Sequence, residues 1–333
     1  MPTKPYSIFL TTMLFNEIPT VDLSHYMNGT KEQKDAFVQE LGNSFSNIGF
    51  AIIKNHTVSN ELINNTYETF KSFFNLPDEV KKKYEIVELA GQRGYTSKGR
   101  EHAKNRNVGD LKEFYHIGQT VTDGDPIKKE YPDNIFVEEL PSLEKYGVEL
   151  YNALENNGIH VLRAIAEYLD LDINYFDSKV HNGNSILRPI HYFPIENPDE
   201  LPEGAVRAAE HEDINLITLL VGASADGLQV LRKDGVWISA NPQPTELVIN
   251  VGDMLQRLTN NRLKSTTHRV VNPPRESMHL PRHSMPFFLH PTSITDLTCI
   301  ASCTSDSNPK NYADTTAGEY LNERLRELGL LKA

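Results

Sequence analysis

The sequence predicts a mainly β protein with flanking helices, and three observations carry that expectation. Beyond Asn182 the chain runs in short β-type stretches separated by turn residues. Before that point, apolar residues recur at helical spacing instead. The 333 residues are 39% hydrophobic and 23% charged, an ordinary globular balance with enough apolar chain for a sizeable core. No repeat, low-complexity tract or Gly/Ser linker divides them. The reading is one integrated domain, with a mainly helical N-terminal region over 1–180 and a β core with a C-terminal helix over 181–333.

The elements follow in order. Phe37, Leu41, Phe45 and Ile48 lie on one helical stripe, and Thr30 with Gln33 offers a capping box at its start. Gly49 to His56 reads as a short, mostly buried strand. Ser59 can cap a second helix that buries Leu62, Ile63, Phe70, Phe73 and Phe74. Pro77 opens a short third one at its first turn, where a missing N–H costs nothing. A long amphipathic helix is expected from about Leu143 to Leu169. The β-type runs are then 185–193, 215–221, 227–231, 235–239, 246–251, 265–271 and 283–290. Asp226-Gly227, Asp234-Gly235 and Asn241-Pro242 punctuate them. Strands so short and closely spaced suit a sandwich, barrel or jelly roll. Thr316 and Glu319 form a second capping box, ahead of a final helix carrying Tyr320, Leu321, Leu325 and Leu328.

Composition narrows the function. A charge of −12, from 33 Lys+Arg against 45 Asp+Glu, argues against a nucleic-acid-binding face spread over the molecule. Two cysteines, Cys299 and Cys303, cannot build a disulfide framework and read as packing thiols in a reducing compartment. Ile8 to Phe15 is too short an apolar stretch to span a bilayer and lacks the charged start of a signal peptide. A cytoplasmic protein without a membrane partner is expected.

The informative stretch is Glu210-His-Glu-Asp213. In an extended chain, residues two apart share a face, so His211 and Asp213 project together while Glu212 points away. His268, in a second β run, can supply a third ligand. Two His and one carboxylate on one side of an octahedral ion leave three positions open, the arrangement of non-haem Fe(II) oxygenases. Zinc is the alternative on ligand type alone. Taken bare, His-x-Asp is a weak signal in a chain with 12 His; its place among β runs strengthens it. Arg282 and Ser284 share another strand face, and a guanidinium fork beside a hydroxyl suits a carboxylate.

At these residues the sequence resembles the isopenicillin N synthase-like branch of the Fe(II)/2-oxoglutarate-dependent dioxygenases. The match includes His211-Glu-Asp213, Leu228-Gln-Val230, Asn250-Val-Gly-Asp253, Leu258-Thr-Asn-Asn261, His268-Arg-Val270 and Arg282-His-Ser-Met-Pro-Phe-Phe288. Ile18 to Leu23, Gly49-Phe50, Asn55-His56 and Gly91-Gln-Arg-Gly-Tyr95 fall in the family's order ahead of them. The resemblance spans Ile18 to Pro291. It implies a double-stranded β-helix (jelly-roll) core, iron on His211, Asp213 and His268, and the distal carboxylate of 2-oxoglutarate on Arg282 and Ser284.

One departure stands out. Many relatives carry Asn-Tyr-Tyr-Pro where this chain has His191-Tyr-Phe-Pro194. Tyr192 still offers a hydroxyl toward the co-substrate or substrate carboxylate, or packs locally; Phe193 cannot replace a second tyrosine's hydrogen bond. His191 faces the other way and suits the core or a supporting role. Arg188 shares the Tyr192 face and is a candidate for the pocket. Gly252 and Asp253 read as a tight turn needing a permissive backbone, and Trp237 as core. Arg93 to Arg106 is a basic island containing Lys98, read either as a solvated loop or as a recognition loop for an anionic group. In relatives this segment lies over the pocket mouth.

The expectation is therefore an oxygenase that uses Fe(II), 2-oxoglutarate and O2 on a small-molecule substrate, anionic if Arg93 and Lys98 read it. Hydroxylation of an unactivated C–H bond, with succinate and CO2 as co-products, is the default outcome. Beyond the metal centre no separate catalytic residue is expected. Two alternatives stand beside it: an oxidase using Fe(II) and O2 without 2-oxoglutarate, and a non-catalytic jelly-roll binding protein.

Overall fold

The computed structural model describes residues 14–89, 91–100, 112–201, 206–222 and 227–327. Part of the basic island, 101–106, and Leu328 lie outside the described residues.

Thirteen strands form among the described residues. The first region supplies β1 (Thr20–Asp22), β2 (Phe50–Lys54), β3 (Gly94–Thr96) and β4 (Lys112–Gly118). The second supplies β5 (Ile186–Leu187), β6 (Ile190–Tyr192), β7 (Ala208–His211), β8 (Ile217–Val221) and β9 (Leu228–Leu231). It continues with β10 (Trp237–Ser239), β11 (Leu247–Val251), β12 (His268–Val270) and β13 (Arg282–Leu289). The large sheet has the order β1-β2-β11-β8-β13-β5-β4-β3, with β6 joined to β13 and β4. The small sheet is β10-β9-β12-β7. Apart from the parallel β1–β2 pair, the strands run antiparallel. This is a jelly roll, and β2 of the first region sits inside its large sheet.

Local chemistry accounts for the boundaries. The 185–193 run breaks into β5 and β6 at Pro189, which has no N–H to give but whose carbonyl accepts from the Tyr115 amide. Both capping boxes form: Thr30 with Gln33, and Thr316 with Glu319. Ser59 caps the Asn60–Phe74 helix through the Leu62 amide. Pro77 stands one place earlier than expected, at the N-cap. β3 and β4 carry no visible alternation, because β4 is buried on both faces.

Two apolar clusters divide along the large sheet. Its outer face packs against the Lys31–Asn47, Asn60–Phe74 and Ser142–Tyr168 helices. The long helix can close onto the sheet because Gly158 lacks a side chain; a Cβ there would stand 2.7 Å from Leu289 Cδ1. The inner face, with the small sheet, encloses Phe50, Phe114, Ile190, Tyr192, Ala208, Val230, Val248 and Val270. Trp237 is half-buried rather than core, with the Arg269 guanidinium 3.9 Å over its ring. Gly252 keeps an ordinary negative φ of −104°. Its smallness serves close approach, since a Cβ would lie 2.2 Å from the Asn215 carbonyl.

Candidate active site

β7 and β12 pair so that His211 stands opposite His268, with Ala208 opposite Val270. Two residues of β7, Ala209 and Glu210, thus face Arg269 alone, which is a β-bulge. Simple alternation from the inward Ala208 would turn His211 outward. The bulge reverses it, and both residues face the barrel interior. The chain then leaves the strand and Asp213 turns back toward the two rings. Glu212 points away and accepts from the Thr267 hydroxyl.

The hydrogen bonds around these three side chains decide what their remaining atoms can do. His211 Nδ1 lies 2.7 Å from the Ala209 carbonyl, and His268 Nδ1 lies 3.1 Å from that of Thr266. A carbonyl only accepts, so each Nδ1 carries the proton and each Nε2 is left a lone pair. Both Nε2 atoms stand 3.9 Å from Asp213 Oδ1. Asp213 Oδ2 is occupied, accepting from Thr218 Oγ1 at 2.6 Å and Asn250 Nδ2 at 2.8 Å. Oδ1 therefore turns to the same point as the imidazoles, and all three ligand atoms fall within 4.8 Å of one another.

Protonation favours the same use. The His211 ring is open at the mouth but crowded by protein on its other sides; that crowding, with His268 adding to it, brings its proton affinity down to about 4. Burial pushes the Asp213 carboxyl up, but the two imidazoles and the hydrogen bonds from Asn250 and Thr218 outweigh it and hold it below the usual range. A neutral His211 imidazole and an ionised Asp213 carboxylate, with the His268 Nε2 beside them, fit a divalent ion such as Fe(II).

Along the barrel from this point, Arg282 pairs with Tyr192 and Ser284 with Ile190 across β13 and β6. Ile190 and Tyr192 belong to the inner cluster, so their cross-strand partners face inward too. Arg282 is 1% exposed, with its guanidinium 5.1 Å over the Tyr192 ring. Arg188 also enters the barrel, flanked by Phe114 at 4.6 Å and Phe288 at 5.2 Å. Its Nε donates to His116 Nε2, and His116 Nδ1 donates to the Gly91 carbonyl. Both bonds require the same neutral tautomer.

The basic island divides. Arg93, expected at the pocket mouth, is instead fully buried beside Tyr151 and Tyr131. It donates to Gln119 and to the Gln92 carbonyl. Its guanidinium occupies the space above Gly118, 1.9 Å from where a Cβ would be. It is a packing residue with no open face. Lys98 is exposed, its ammonium 5.0 Å over the Phe193 ring. His191 supports rather than ligates: it bonds Glu113 at 2.7 Å and stacks on His283. Sequence reasoning missed Thr218, Asn250 and His116. The one local signal was a hydroxyl at position 218 interrupting an otherwise aliphatic strand.

Comparison with known proteins agrees with this geometry. A family model described as the 2OG-Fe(II) oxygenase superfamily matches residues 183–291. A second, described as the N-terminal part of the non-haem dioxygenase in morphine synthesis, matches 18–139. A proline hydroxylase of Petromyces alliaceus is 31% identical over 93% of this chain and 98% of its own. Among solved structures, a Caulobacter crescentus protein assigned to the 2OG-Fe(II) oxygenase family is 43% identical, with a TM-score of 0.85, covering 94% of this chain and 100% of its own. A Neurospora crassa protein solved in complex with alpha-KG (2-oxoglutarate) is 32% identical, with a TM-score of 0.83, covering 93% and 95%.

The chain belongs to the 2OG-Fe(II) oxygenase superfamily. It is a dioxygenase that depends on Fe(II) and 2-oxoglutarate, with O2 as co-substrate. These relatives support 2-oxoglutarate-dependent oxygenation over the oxidase and binding-protein alternatives. No helix among the described residues is long and apolar enough to cross a membrane.

Proposed function

We propose that His211, Asp213 and His268 hold Fe(II), that Arg282, Ser284 and Tyr192 hold the distal carboxylate of 2-oxoglutarate, and that the chain hydroxylates a small organic molecule. The observation that carries the reading is the convergence of His211 Nε2, His268 Nε2 and Asp213 Oδ1, with every other polar atom of the three side chains already engaged. When bound, iron and 2-oxoglutarate would supply the oxidising chemistry with O2, one oxygen atom going to succinate, formed with CO2, and the other to a substrate C–H bond. The protein's own part is to hold and to shelter. Thr218 and Asn250 keep one Asp213 oxygen engaged so that the other stays aimed at the metal. Arg282 presents two parallel N–H donors, and the aromatic ring of Tyr192 backs them.

Arg188, gripped between two phenylalanines and oriented by His116, is our candidate for substrate recognition. A guanidinium there favours a substrate with an anionic or carbonyl group, and Lys98 above Phe193 could meet the same group at the mouth. The Neurospora crassa neighbour has also been solved with thymine, a small polar ring, which is in keeping with a pocket of this kind.

Replacing His211, Asp213 or His268 by Ala tests the metal assignment. Each variant should remain folded by circular dichroism yet lose stoichiometric Fe(II) and substrate-driven succinate formation. Activity retained in all three would end the assignment. Charge-assisted bonds contribute about 1.5–3 kcal/mol each, so Arg282→Ala should weaken 2-oxoglutarate binding by about two orders of magnitude. Arg282→Lys should recover only part of that. A mass-spectrometric screen of cell metabolites for a gain of one oxygen would find the substrate.

A further inference from the structure

Arg207 stands just ahead of β7, at the edge of the small sheet, and is 3% exposed. Its Nη2 donates to the Leu280 carbonyl at 2.8 Å. Leu280 lies on the segment that leads directly into Arg282. The bond thus ties Arg207, ahead of a small-sheet strand, to the segment that opens the strand bearing the carboxylate-binding pair. Its Nε–H is sealed from solvent with no protein acceptor among the described residues. The neighbourhood is electrostatically tense. Burial, and after it the charge of Arg282, lowers the proton affinity of Arg207, with Tyr192 partly opposing them.

Two buried guanidiniums that feel each other's charge repel, and a buried N–H without an acceptor is costly. An anion entering between them relieves both. We propose that Arg207 is a second cationic anchor for the distal carboxylate of 2-oxoglutarate, meeting it from the small sheet as Arg282 meets it from the large one. The proposal rests on the assignment of Arg282, Ser284 and Tyr192 to the co-substrate. The consequence is selectivity for a 2-oxo acid that carries a charge at its far end.

Anaerobic titration of the Fe(II) protein tests this without turnover, through the visible band that develops when a 2-oxo acid chelates the metal. Two acids are compared: 2-oxoglutarate, and 2-oxopentanoate, which has the same keto-acid end but no distal carboxylate. Arg207→Gln should weaken 2-oxoglutarate about tenfold to a hundredfold, the range of one charge-assisted bond, and leave 2-oxopentanoate unchanged. Arg207→Lys should recover part of the loss, since it restores charge without the planar fork. Equal weakening of both acids would overturn the proposal and leave Arg207 as a brace for Leu280. So would no change in either. Should the Gln variant not fold, the Lys variant carries the same two-acid comparison. A wild-type protein that develops no band with 2-oxoglutarate, while still binding Fe(II), overturns instead the assignment of Arg282, Ser284 and Tyr192 beneath it.

Discussion

The two faces of the large sheet are made by the same strands and do different work. Toward the helices, β8 presents Ile217, Leu219 and Val221, β11 presents Leu247, Ile249 and Val251, and β13 presents Met285, Phe287 and Leu289. One residue along each strand, the inner face presents Thr218, Asn250, Arg282 and Ser284. The outer face draws its stability from apolar area, at about 25 cal/mol per Å² removed from water. The inner face buries groups that water would solvate better, each held by a particular partner. Stability on one side is set by how much is buried; function on the other depends on which atom meets which. Strand alternation lets one backbone do both, because successive side chains leave on opposite faces.

Charge on the outer face follows another rule. Glu113 is buried there with Lys81 at 2.9 Å, His191 at 2.7 Å and the Tyr95 hydroxyl, so each carboxylate oxygen has a donor. It is a closed set of charges, whereas the buried Arg282 on the inner face lies over the Tyr192 ring.

The sharpest way to separate the faces is to cut the outer one. Phe287 is fully buried, with its ring edge-on to Tyr151 at 5.0 Å. Phe287→Ala should cost about 3–5 kcal/mol in urea denaturation while Fe(II) stoichiometry of the folded protein holds. Loss of iron without loss of stability would show that the faces are coupled after all.

Glu113→Gln leaves His191 without a carboxylate and Lys81 with only the exposed Asp78, at 3.1 Å, and should cost about 3 kcal/mol at neutral pH. It should also change the acid limb. Burial raises the Glu113 carboxyl, but hydrogen bonds from His191, Lys81 and Tyr95 lower it further, so the folded value lies below the ordinary 4.5. A depressed folded value means the contribution is present above 4.5 and is lost as pH falls through the folded value. Wild-type stability should therefore drop more steeply below pH 4.5 than that of the Gln variant; parallel profiles would rule Glu113 out as the source.

On the inner face, Thr218→Val removes one donor to Asp213 with little change in volume. Iron affinity should fall about 10–100-fold by metal-competition titration, with the melting temperature nearly unchanged. A melting shift as large as that of Phe287→Ala would place Thr218 with the packing residues. The smallest effect belongs to Glu212, between two proposed ligands but turned outward to Thr267. Glu212→Ala should change stability by less than about 0.5 kcal/mol and leave iron binding intact.

Much of this was legible in one dimension. The capping boxes at Thr30 and Thr316 formed as spaced, since each needs only residues three apart. The β runs of the second region and the inward Arg282 and Ser284 were readable because alternation is a property of the local backbone; His211 and Asp213 do converge, but through a bulge and a turn rather than through alternation. The resemblance then supplied the jelly roll and the cofactors.

What tertiary structure alone decided concerns partners distant in the chain. The bulge that turns His211 inward exists only against Arg269 of β12, and no spacing within β7 announces it. Strand β4, enclosed on both faces, shows no period to read. Arg93 has the same charge whether solvated or enclosed; the empty space above Gly118 and the amide of Gln119 settled that it is enclosed. Thr218 and Asn250 became partners of one carboxylate oxygen through the register of β8 on β11. Along a regular strand the sequence by itself determined which side chains leave on the same face, because that depends only on neighbouring dihedral angles. Which side chains then meet is a matter of register between strands far apart in the chain, and only the folded sheet sets it.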